Sequence, residues 1–150
     1  MYIKKRYIFL NCFLPIIIGA LIYILFRTTT LLVFSWLKYL NLMNYITSIR
    51  LLFADINNVP KWIIFSLPHA LWAYSFMFTF LYIWIDKISK FKYFWFLLVI
   101  IMTLGGEIGQ LLNFVPGTFD FYDLFLSLIA CISPFIIVKI GGMKNVYKRY

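Results

Sequence analysis

The chain has one histidine, two cysteines and five carboxylates in 150 residues, and no basic residue at all between Lys92 and Lys139. Each scarcity excludes something. Cys12 and Cys131 lie far apart in apolar segments, and His69 stands alone. There is therefore no Cys/His spacing for zinc and no Cys/His or Ser/His/Asp nucleophile pattern, which disfavours acyl-enzyme hydrolysis. The cysteines read as small buried hydrophobes. Charged residues make up only 13% of the chain, against 64% apolar and 22% aromatic, with a mean hydropathy of +0.92. A soluble domain of this size has no use for so much apolar surface, so the composition is that of an all-α integral membrane protein. The net charge of +9 does not point to nucleic acid, because the basic residues sit at the ends of apolar segments and not along one polar face. No internal repeat, low-complexity stretch or soluble domain is visible, and 1–150 reads as a single transmembrane domain.

Four segments are apolar enough to cross a bilayer of ~30 Å, which takes ~20 helical residues. They are 7–26, 62–85, 91–112 and 121–140, with Pro15, Gly19 and Pro134 as expected kinks. The start, with Lys4, Lys5 and Arg6, resembles a secretory n-region. Its apolar run continues to Phe26 without a small-x-small site, and Asn11 is too bulky for lipoprotein cleavage before Cys12. The first segment is thus expected to stay as a membrane helix. With the N-terminus inside, ten Lys and Arg fall on the cytoplasmic side and only Arg27, Lys38, Arg50 and Lys61 outside. That positive-inside bias places both termini in the cytoplasm.

Residues 31–53 are apolar, but Ser35, Lys38, Asn41, Asn44 and Ser48 recur every three to four positions. This spacing predicts an amphipathic helix lying in the outer interface. The rival is a fifth span with Lys38 near mid-bilayer and the N-terminus outside. In both layouts the Asn113–Asp120 loop faces outward. Trp36, Trp62, Trp72, Trp84 and Trp95 fall mainly near span ends, where amphipathic rings anchor helices.

Against this background the acids stand out. Glu107, Asp120 and Asp123 lie with Gln110 in GGEIGQLLNFVPGTFDFYD, and a carboxylate at bilayer depth costs on the order of 3 kcal/mol unless it is paired, solvated or protonated. Thr103, Glu107 and Gln110 share one helix face by their spacing. Asp120 and Asp123 open the next helix, where they suit N-cap and N3 positions. His69 stands near the outer start of the second span, most simply as a hydrogen-bonded interface residue. Gln110 suits interhelical hydrogen bonding. Glu107, after Gly105-Gly106 and deep in an apolar helix, serves no obvious capping purpose, which makes it the leading functional candidate. Gly105 and Gly106 before it are expected to let a neighbouring helix approach. Three helix ends would then face a common outward pocket, with 31–53 as rim or lid.

Glu107-Ile108-Gly109-Gln110, followed by PGTFDFYD ending at Asp123 and a last apolar helix, resembles the VanZ-like family of small bacterial membrane proteins. The resemblance covers about residues 104–131, through Glu107, Gln110 and Asp123, with Asp120 as the preceding acid. His69 and Tyr74 resemble the family's His/Tyr-bearing helix at a different spacing. Three positions depart from the pattern. Thr118 stands where the family often has a loop arginine, Ser127 where it has Asn, and Ala130 where it has Gly. Without that arginine the acids lack a natural counter-ion, and the site lacks an anion-binding group. The resemblance implies the bacterial plasma membrane, an envelope setting and a link to glycopeptide resistance more firmly than a reaction.

Three functions compete. In the first, Glu107, Asp120 and Asp123, oriented by Gln110 and His69, bind an envelope lipid, a lipid-linked intermediate or an amphipathic antibiotic. Mg²⁺ or Ca²⁺ would suit these hard oxygen ligands, and Glu107 is the candidate general acid or base if chemistry occurs. In the second, the chain is a non-catalytic accessory subunit whose acids pair with a basic membrane-protein partner. In the third, Glu107 serves an oligomeric proton- or cation-coupled transporter.

Overall fold

A computed structural model of the chain describes residues 5–53, 59–84, 87–115 and 118–140, and every element among them is helical. The first expected span is a single run with an internal fault. It consists of α1 (Lys5–Ile8), a π-helical turn (Phe9–Phe13) and α2 (Leu14–Phe26). Pro15 is the cause. Its ring has no N–H and presses on the carbonyl four residues back, that of Asn11. The wider turn, closed by the Leu14 N–H on the Phe9 carbonyl, relieves that clash. The expected kink is therefore a π turn.

Residues 31–53 form neither one amphipathic helix nor a continuous fifth span. They fold as α3 (Leu32–Tyr39) and α4 (Met43–Leu52). These helices have 8 and 10 residues, too short to cross a bilayer at ~1.5 Å per residue. The break comes from Asn41, at φ 57°. There the Asn41 and Leu42 N–H groups donate to the Lys38 and Leu37 carbonyls at 3.0 and 2.9 Å. This is the Schellman arrangement, in which a left-handed C′ residue, often Gly or Asn, satisfies the last carbonyls of a helix.

The second expected span is also divided, into α5 (Lys61–Phe65) and α6 (Leu67–Trp84). Pro68 cannot donate to the carbonyl of Ile64, so the helix restarts at Leu67 with proline in its first turn, where no donor is needed. The remaining helices keep their expected positions, as α7 (Phe91–Leu111) and α8 (Phe121–Ile140). α8 runs through Pro134 unbroken. The Ala130 carbonyl that Pro134 leaves free receives a long hydrogen bond from Ser133 Oγ at 3.5 Å.

Arg6–Phe26, Phe91–Leu111 and Phe121–Lys139 are long and apolar enough to cross a membrane. Their outward faces carry bare apolar side chains such as Leu97, Ile101, Met102, Phe125 and Ile132. α6 is the hub of the bundle. It packs against α2, α5, α7, α8 and the π turn, and buries Pro68, Ala70, Ala73, Ser75, Met77 and Phe78. A helix surrounded by helices can carry polar groups provided they are bonded. Tyr74 Oη donates to Asn11 Oδ1, and Ser75 Oγ to the Cys12 carbonyl.

Lipid supplies no hydrophobic force between helices, so close approach depends on small side chains. Along the α6–α8 seam Ala70, Ala73 and Ala130 meet, with Ser66 and Ser127 buried one turn above them. Between α2 and α6 the small residue is Gly19. A Cβ there would lie 2.8 Å from Trp72 Nε1 and 3.2 Å from the Pro68 carbonyl. The pair Gly105–Gly106 does not have the expected role. A Cβ on Gly105 would meet only Ile101 of its own helix, and one on Gly106 would meet nothing within 4 Å.

α7 ends in a second Schellman turn on Asn113, at φ 58°. Its N–H donates to the Gln110 carbonyl at 3.1 Å and that of Phe114 to Gly109 at 2.8 Å. Asn113→Val should cost about 1–2 kcal/mol, because a β-branched residue resists the left-handed region, whereas Asn113→Gly should not. The unfolding midpoint in mixed micelles measures the difference.

Candidate functional site

α7 presents Thr103, Glu107 and Gln110 on one face, with Thr103 buried and the other two half-buried. That face meets the start of α8. Asp120 stands immediately before α8 and caps it: Oδ1 accepts the Tyr122 N–H at 2.8 Å. The Asp120 N–H in turn donates to Glu107 Oε2 at 3.4 Å, a long contact. Glu107 therefore does face a helix N-terminus, that of its neighbour, where free N–H groups and the helix dipole favour negative charge. Sequence reasoning missed this because the helix that Glu107 serves is not its own.

Asp123, in the first turn of α8, differs. Its Oδ1 is buried and has no hydrogen-bond partner among the described residues. One turn further on, Ser127 Oγ is buried and also unpartnered, as is Ser66 Oγ at the α5–α6 junction. Nothing in the sequence marks Ser66 as unusual, and Ser127 stands out only as a departure from the family pattern. Their burial follows from the tight parallel packing of α6 on α8, and that same seam admits only small side chains at 127 and 130.

His69 is half-buried between α6 and α7, with Nε2 3.4 Å from the Thr103 carbonyl. Thr103 Oγ1 donates to the Val99 carbonyl at 2.8 Å and lies 3.6 Å from Cys131 Sγ. Thr103 lies one turn before Glu107 on α7, and Asp123, in the first turn of α8, follows Asp120. The structure thus gathers Glu107, Asp120, Asp123 and His69 at one end of α6, α7 and α8, with Gln110 one turn beyond Glu107. Among the described residues no three Asp, Glu, His or Cys side chains converge as a metal site. The expected lid is also absent from this corner, since α3 and α4 pack on α2 and on each other, not on α7 or α8.

The three acids of the cluster are hydrogen-bond acceptors. Ionised carboxylates accept and cannot donate, and the unpartnered Asp123 oxygen lacks a donor. A hydroxyl, amine or amide of a bound molecule would complete it, whereas a phosphate would be repelled unless a cation came with it. Asp120→Ala should lower stability by about 1 kcal/mol through loss of the cap. Asp120→Ser should restore it, and thermal unfolding of the two variants separates the capping role from any ligand role.

No protein-family model matches the chain, and no curated protein or solved structure matches it either.

Proposed function

We propose that the chain is a four-span protein of the bacterial plasma membrane, VanZ-like, whose acidic cluster binds the polar headgroup of an envelope lipid, a lipid-linked intermediate or an amphipathic antibiotic. In this reading α5 and α6 together form the second span, the α3–α4 hairpin lies in the outer interface, both termini are cytoplasmic and the acids face outward. The exposed aromatic and apolar side chains of the hairpin, Trp36, Tyr39, Tyr45 and Leu51 among them, support that placement. The family assignment rests on the residues Glu107, Gln110, Asp120 and Asp123 alone.

The observation that carries the binding proposal is the buried, unpartnered Asp123 Oδ1 above two unpartnered serine hydroxyls. Leaving one such atom unmade costs about 1–3 kcal/mol. A headgroup rich in hydroxyl or amino donors removes that penalty. A Mg²⁺ or Ca²⁺ would act here only jointly with the headgroup, which would supply the missing ligands. Catalysis is no part of the proposal.

The test is native mass spectrometry of the gently purified protein beside Glu107→Gln and Asp123→Asn. A lipid adduct, with or without a metal ion, that is present in the wild type and lost in both variants supports the proposal. A second polypeptide that both variants drop would instead identify an accessory subunit whose acids pair with a basic partner. The same unpartnered carboxylate favours that second reading, since a Lys or Arg also supplies donors.

A further inference from the structure

The α3–α4 hairpin has a chemistry opposite to that of the acidic cluster. It docks on α2 through Arg50, whose Nη1 donates to the Ile24 and Arg27 carbonyls at 2.9 Å each, at the negative end of the α2 dipole. The Arg50 guanidinium also lies 5.5 Å from the centre of the buried Phe34 ring. Two adjoining cavities of about 520 and 430 Å³ open on this corner and share Thr29. The first is mixed, with Phe34 and Met43 on its wall beside the polar Ser35, Lys38, Asn41 and Asn44. The polar ones are four of the five residues whose three-to-four spacing marks the polar stripe in the sequence, and the turn at Asn41 folds that stripe around the cavity. The second is mainly apolar, lined by Leu25, Phe26, Leu51 and Phe53, with Arg50 and Thr47 at its polar side.

We infer that this paired cavity is a binding site for an anionic phospholipid with a hydroxylated headgroup. Lys38 and Arg50 hold the phosphate, Ser35, Asn41 and Asn44 bond the headgroup hydroxyls, and the acyl chains lie along Leu25, Phe26, Leu51 and Phe53. Three features support this occupant. One cation borders each cavity, which suits a single negative charge at their junction. The mixed cavity carries both donors and acceptors, which suit hydroxyls. The apolar cavity adjoins it directly, as the chains of one lipid require. The inference rests on the interfacial placement of the hairpin proposed above.

Trp36, on the exposed face of α3, serves as the reporter. Its emission is isolated as the difference between the wild type and Trp36→Phe, with the full chain reconstituted in phosphatidylcholine vesicles. Dibrominated phosphatidylglycerol should quench it more strongly than dibrominated phosphatidylcholine at equal mole fraction. Lys38→Gln should reduce that preference about fivefold, the effect of one basic residue near a membrane surface. Lys38 is exposed on α3, so this variant keeps the fold even if Arg50→Gln undocks the hairpin. Lys61→Gln, a charge outside both cavities, should leave the preference intact, and inorganic phosphate should not displace the lipid. Equal quenching by the two lipids overturns the inference while leaving the hairpin at the interface. Equal losses in Lys38→Gln and Lys61→Gln overturn it in favour of diffuse surface charge, and displacement by phosphate in favour of a soluble anion. No quenching by either lipid overturns both the inference and the interfacial placement.

Discussion

Glu107→Gln is expected to leave the protein folded and inserted while weakening headgroup retention about 10- to 150-fold, corresponding to the 1.5–3 kcal/mol of a hydrogen bond to a charged group. The substitution keeps shape and volume. The amide oxygen of glutamine can still accept the Asp120 N–H that Glu107 Oε2 accepts at 3.4 Å, so the α7–α8 corner has no reason to open. What disappears is the charge. Three acids in a stretch with no Lys or Arg between 92 and 139 attract a donor-rich or cationic group far more strongly than two acids and an amide. Asp123→Asn should have a similar effect through a different atom. It neutralises the carboxylate whose Oδ1 is buried without a partner among the described residues. Retention measured by native mass spectrometry, beside far-ultraviolet circular dichroism of the same samples, separates binding from folding. Undiminished retention in both variants would reduce the acids to helix-end stabilisers and remove the basis for the proposed function.

Gly19→Leu should destabilise the bundle by about 1–3 kcal/mol or more, the cost of overpacking a tight contact. A Cβ alone would press on Trp72 Nε1 at 2.8 Å, Trp72 Cδ1 at 3.0 Å and the Pro68 carbonyl at 3.2 Å. The indole stacks on Tyr23 of α2, with centroids 6.1 Å apart, and has little room to turn away. The Pro68 carbonyl is backbone and cannot. α2 would have to slide off α6, and the Tyr74–Asn11 and Ser75–Cys12 hydrogen bonds below would be strained or lost. Gly106→Leu is the control. Nothing lies within 4 Å of a Cβ there, so the change should stay within about 0.5 kcal/mol, as is usual for a surface substitution. Unfolding midpoints in mixed micelles should rank Gly19→Leu far below Gly106→Leu. The opposite order would mean that α7, not α2, makes the close helix approach.

The long helices were legible because their ends are chemically marked. Lys90 and Lys92 frame the start of α7, and Asp120 caps α8 as its position before Phe121 predicts. The Thr103–Glu107–Gln110 face was legible because helical spacing alone determines it. Two breaks within expected segments come from single residues whose backbone preference outweighs the apolar pattern. Pro68 divides 61–84, and Asn41 ends α3 by adopting a left-handed conformation where the residue pattern read as one continuous stripe. Both signals were present in the sequence, but hydropathy outweighs them when long apolar runs are read by composition.

The sequence by itself determined that this is a helical protein with three helices long and apolar enough to cross a membrane, where those helices lie, and which few polar residues must be accounted for. Those properties depend on residues within one turn or one span of each other. Only the tertiary structure decided what each polar group meets. It placed Glu107 at the N-terminus of a neighbouring helix, left Asp123, Ser66 and Ser127 without partners, assigned close approach to Gly19 and not to Gly105–Gly106, and folded the 35–44 stripe around a cavity away from the acids. In lipid there is no hydrophobic force to read from composition, so helix pairing is decided by shape and by hydrogen bonds between residues distant in the chain, and these exist only once the helices have packed.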